Sequence, residues 1–97
     1  MKIPKHKFII KIGSIQRELL SDFIDSRELS EGGIAAGILL VQSVCSVVLE
    51  TVSSKNSSVI ETSEVFALAE IRISKTTDSL SKEACLAVLS RVENEIK

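Results

Sequence analysis

Side chains that could do chemistry are few, and their spacing does not support it. His6 is the single histidine among 97 residues and lies in a lysine-rich stretch ahead of the helices, so neither a Ser-His-acid nor a Cys-His arrangement has a positioned base. Asp22, Asp25 and Glu28 recur every third residue along one helix edge, the layout of a carboxylate metal site. No Glu-x-x-His accompanies them, and they read as a solvated acidic face. Cys45 and Cys85 sit among aliphatic residues without metal-ligand spacing. They read as free thiols that pack as small hydrophobes in a reducing, cytoplasmic setting, with a disulfide between packed helices as the alternative. Gly32-Gly33 is followed by Ile34-Ala35-Ala36, which lacks the lysine of a phosphate-binding loop. No catalytic, metal-binding or cofactor-binding residue is therefore assigned, no cofactor is expected, and surface contact becomes the favoured kind of activity.

Composition narrows the classes further. The 97 residues fit one small domain, and 44% hydrophobic with 26% charged residues supply a core and exclude a disordered tail. Trp and Tyr are absent, and Phe8, Phe23 and Phe66 are the only aromatics. That removes the stacking platforms on which single-stranded nucleic-acid binders depend. Charge is unevenly spread: Lys2, Lys5, Lys7, Lys11 and Arg17 precede the first acid, and the rest of the chain carries 7 basic against 13 acidic side chains. Lys5, Lys7 and Lys11 can contact an anionic partner, nucleic acid or lipid, but pairing with the acidic face of a sister subunit is preferred.

The elements that must position these groups follow from periodicity. Residues 7–12, between Pro4 and Gly13 and rich in isoleucine, predict a short strand or an extended arm, so residues 1–13 form a basic arm and 14–97 a single helical domain. Ser14 caps a helix over 15–28, with Ile15, Leu19, Phe23 and Ile24 inward. After the polar break Ser30-Glu31-Gly32-Gly33, the residues Ile34, Ile38, Val41, Cys45, Val48 and Val52 hold a heptad seam through a long helix over 34–52. Leu39, Leu40, Val44, Val47 and Leu49 make it apolar nearly all round, and Gly33-xxx-Gly37 permits close helix approach. Such a helix is either a central core element or a membrane span; Gln42, Ser43, Ser46 and Glu50 favour the core. Ser58-x-x-Glu61 predicts a capping box for a third helix over 59–74, a stretch that also alternates as a strand would. A last helix runs over 80–95, with Leu80, Ala84, Val88, Val92 and Ile96 on its stripe.

One family resemblance spans Ser14 to Ser53. An amphipathic helix, a short polar stretch, Gly32-Gly33 and a long Ala/Val/Leu helix resemble the N-terminal part of the formiminotransferase-cyclodeaminase and methenyltetrahydrofolate cyclohydrolase family. Members carry proline, three glycines and a serine at that turn, where this chain has Glu31, Gly32, Gly33 and Ile34. The resemblance implies an all-α dimer with Gly32 and Gly33 marking the turn, and one-carbon folate chemistry.

Together these readings predict an all-α fold: a small bundle of about four helices with a long central apolar helix and an extended or short-strand N-terminal arm. A core this thin is commonly completed by oligomerisation, so a homo-oligomer is expected, with Ile34, Gly37, Ile38, Val41, Cys45, Val48 and Val52 as its interface. The function expected is that of a non-enzymatic assembly, adaptor or regulatory protein that also meets a protein partner. A folate-type cyclodeaminase relative and a small membrane-embedded protein are the alternatives.

Overall fold

The computed structural model describes residues 1–25, 30–76 and 79–96, and those residues form an all-α bundle with a two-stranded clasp. In chain order the elements are β1 (Lys2–Pro4), α1 (Lys5–Ile24), α2 (Glu31–Ser53), β2 (Val59–Glu61), α3 (Thr62–Thr76) and α4 (Ser79–Ile96). The long apolar helix α2 packs against each of the other three.

α1 begins ten residues before the predicted start, which corrects the arm and the boundary at residue 13. Residues 7–12 are helical, and only residues 2–4 are strand. The reason is the spacing of Phe8, Ile12, Ile15 and Leu19, four apolar residues at intervals of four, three and four that share one helix face and are all buried. A strand over 7–12 would have split Phe8 from Ile9 across two faces. Pro4, with φ -57° and ψ 136°, holds the N-cap position, where its missing N–H costs nothing. Ser14 is thus an exposed residue inside the helix and caps nothing. Phe8 is wholly buried, and its ring meets Phe66 of α3 edge-on at 6.0 Å between centroids, with 63° between the planes.

α2 starts at Glu31 because the Ser30 hydroxyl accepts the Gly33 N–H at 3.1 Å, while Glu31 places a negative charge at the positive end of the helix dipole. Gly32 and Gly33 therefore form its first turn and do not break the chain. Neither takes a left-handed φ.

The predicted capping box does not form. Val59–Glu61 instead pairs antiparallel with Lys2–Pro4, in the register Lys2↔Glu61, Ile3↔Ile60 and Pro4↔Val59. The pairing buries Ile3 and Ile60 and is extended at both ends, since Lys5 N–H donates to the Ser58 carbonyl and Thr62 N–H to the Met1 carbonyl. Pro4 lacks an N–H and Val59's is met by the Ser57 hydroxyl, so both edges are poor templates for a further strand. α3 follows as a helix: Val65, Phe66, Ala69 and Ile73 are buried, whereas Ala67 and Ile71 of the alternating pattern are exposed. In α4 the expected stripe is buried at Val92 and Ile96, while Ala84 is exposed and Val88 half-buried, and the neighbouring Cys85 and Leu89 are buried in their place. Leu80's side chain lies outside the described residues.

Candidate interaction surface

Reactive groups are dispersed or sealed. Among the described residues no cluster of three His, Cys, Asp or Glu side chains is arranged to hold a metal ion. Asp22 faces Arg91 of α4 at 3.3 Å in an exposed pair, Asp25 is the C-cap of α1, and Glu28 lies outside the described residues. Cys45 and Cys85 are both buried and form no disulfide with one another. Burial pushes the Cys45 thiol up to about 11, because a thiolate in that apolar setting would lack solvation. It is unreactive at neutral pH. His6 is exposed on the first turn of α1.

Of the seven predicted interface residues, five lie inside the chain's own fold: Val41, Cys45, Val48 and Val52 have no exposed surface and Gly37 is buried, whereas Ile34 and Ile38 are half-buried and outside the core cluster. Those five are covered by the chain's own helices and are not open to a second subunit. Gly37 has a specific task there, since a Cβ at that position would lie 2.5 Å from the Phe23 ring. The absent side chain is what lets α1 cross α2 at that level.

The most exposed large apolar side chains of the helices lie on the other side of α2 and the outer side of α1, ahead of Ile71 of α3. α2 exposes Ala35, Ala36, Leu39, Ser43, Ser46 and Glu50, with Leu39 64% accessible. α1 exposes Ile10 at 67% and Ile24 at 59%. α2 is long and apolar enough to cross a membrane, yet 28% of its most apolar 18-residue window is buried within the molecule. A core helix enclosed on all sides would be mostly buried, so α2 is covered on one side only.

The three lysines assigned to an anionic partner separate into two roles. Lys5 Nζ donates to the Lys55 carbonyl at 2.6 Å and is half-buried, so it ties α1 to the segment before β2. Lys7 and Lys11 are exposed. Two concave regions flank these elements. An open cleft of about 410 Å³ beside β2 is crossed by ion pairs, Lys55 with Glu64 and the Met1 amino group with Glu61. The Met1 amino group holds the Glu61 carboxyl below its usual range. A smaller cavity of about 200 Å³ lies between Leu19, Phe23, Val41, Val88 and Arg91. The carboxylates of the first, Glu61 and Glu64, are paired within the chain, and the second is lined mostly by apolar side chains.

No protein-family model matches the chain, and no curated protein or solved structure matches it significantly. The turn that carried the folate-family resemblance is an ordinary first helical turn. An arm over residues 1–13 leaves no room for the outer face of α1, because residues 5–13 are its first half. Its signal was present in the order of charges along residues 5–25.

Proposed function

We propose that this chain is a non-enzymatic, self-associating helical protein, an assembly, adaptor or regulatory component that acts through contacts with copies of itself and with a protein partner. The observation that carries this reading is the one-sided cover of α2: a helix apolar nearly all round with Leu39 left 64% accessible, beside α1 with Ile10 and Ile24 more than half exposed. Exposed single apolar side chains are ordinary; four large ones on α1 and α2, Ile9, Ile10, Ile24 and Leu39, favour a surface meant to be covered. The inward seam is not part of this contact, because the fold has already used it.

The experiment is sedimentation velocity of detergent-free protein over a wide concentration range, paired with flotation on neutral and anionic vesicles. A discrete dimer or larger closed oligomer in the aqueous phase is the expected result. A monomer at every concentration would overturn the reading, and quantitative transfer to vesicles would replace it with the membrane alternative.

A further inference from the structure

α1 carries its charges in the order its own dipole opposes. Its basic side chains, Lys5, Lys7, Lys11 and Arg17, all precede the acidic Glu18 and Asp22 and the C-cap Asp25. The amino end of a helix favours anions and the carboxyl end cations, yet α1 has no acid in its first turn and no base in its last. Lys5 and Asp22 are satisfied inside the chain. Lys7, Lys11, Glu18 and Asp25 are exposed, and their spacings of four, seven and seven place them along one side of the helix. Among the described residues none of these four makes an ion pair.

The same helix holds a glycine that the fold does not require. A Cβ added to Gly13 would meet nothing within 4 Å, unlike at Gly37. Glycine weakens a helix interior relative to alanine, so a reason for it inside the chain is missing. Ile10 and Ile24, the two most exposed apolar side chains of α1, lie towards opposite ends of the helix from its middle.

We propose that α1 pairs antiparallel with α1 of a second copy about a two-fold axis near Gln16, an inference that rests on the self-association proposed above and names its face. That register sets Lys7 opposite the partner's Asp25 and Lys11 within a turn of the partner's Glu18, and the symmetry makes each contact twice. Lys7 and Lys11 meet acids of the partner, the exposed Arg17 lies at the axis beside its own copy, and the two opposed helix dipoles align favourably. Gly13 gives the partner helix room to approach, with Ile10 and Ile24 packed to either side of the axis. Leu19 and Phe23 line one cavity with Val41, and Phe23 abuts Gly37, so α2 runs antiparallel beside α1. The same axis therefore lays α2 across its own copy near Ser43, where short side chains and Leu39 face outward. Two helices side by side over about 30 Å offer roughly 600 Å² per subunit, the lower range of specific interfaces. An anionic membrane fits this face less well, since it would attract the lysines and repel the three acids of the same helix.

Charge-swapped full-length chains test the pairing. One carries Lys7→Glu and Lys11→Glu, the other Glu18→Lys and Asp25→Lys; all four positions are exposed, and Asp22 is left to Arg91. Each variant alone should associate at least about tenfold more weakly than the unmodified chain, while an equimolar mixture should recover affinity as a heterodimer. Thermal midpoints of the dilute variants should stay level or rise by about 2–8 °C, because the new charges suit the dipole of α1. Gly13→Ala should likewise raise the midpoint and weaken association. If the unmodified chain associates while the variants behave as it does, or if mixing restores nothing, the α1 pairing is wrong and self-association stands. If the unmodified chain is monomeric throughout, both proposals fail.

Discussion

The two sides of α2 differ in polarity, in side-chain volume and in fate. The inner side is built from Val41, Val44, Cys45, Val48 and Val52, medium-sized and mostly β-branched, all with essentially no exposure. The outer side has Ala35, Ala36, Ser43 and Ser46, with Leu39 as its one large exposed residue. Gln42, Ser43, Ser46 and Glu50 keep the outer side towards solvent, and the larger volume of the inner side chains fills the core. Side chains of valine size interdigitate with three neighbouring helices, and each buried one contributes about 1.5–3 kcal/mol. Alanine and serine leave too little to fill a core but permit close approach by another helix.

Val48→Asp breaks the comparison most severely, since it places an unpaired carboxylate in the filled side. A loss of about 4 kcal/mol or more is expected, seen as failure to unfold cooperatively in urea. Alkaline titration reaches the same side without changing its shape. In the unfolded chain the Cys45 thiol ionises near its ordinary 9.0, but in the folded chain only near about 11. Its contribution is therefore complete below about pH 9 and is lost as pH climbs towards 11, by roughly 2–3 kcal/mol. Cys45→Ala should show a shallower alkaline decline in urea midpoint than the unmodified chain; equal slopes would mean that the thiol is not sealed.

Gly37→Val probes the boundary between the two sides. The Phe23 ring must shift to admit the new side chain, at an expected cost of about 1–3 kcal/mol in denaturant unfolding. The smallest effect on stability belongs to Leu39→Glu on the open side, within about 0.5 kcal/mol of zero. Its consequence should appear as weakened association by sedimentation. A large loss of stability there would show that the outer side is not open.

Helix existence was legible wherever apolar spacing ran uninterrupted, as at Ile34 to Val52, and the four-helix class followed from it. The start of α1 was misread because Ile9 and Ile10 are β-branched and Gly13 reads as a terminator. The 4-3-4 spacing of Phe8, Ile12, Ile15 and Leu19 was the stronger signal, since burying one continuous face outweighs local propensity. The β1–β2 clasp could not be read from either strand alone: each has three residues, and Ser58-x-x-Glu61 offered a plausible cap that pairing with Lys2–Pro4 displaced. Of the candidate site, burial of the seam holds at Val41, Cys45, Val48 and Val52, which the chain's own helices cover, and is partial at Ile34 and Ile38. A heptad pattern reports that a face is covered and carries no information on which chain covers it.

The clasp has a kinetic consequence. Met1 and Glu61 lie 60 positions apart in sequence, so closing the two strands carries a long-loop entropy cost, set against only two buried side chains, Ile3 and Ile60. This makes it the last seam to zip and the first to fray. In hydrogen exchange, the amides of Ile3 and Ile60 should trade for deuterium well before those of Val44 and Val48, although all four side chains are hidden from water.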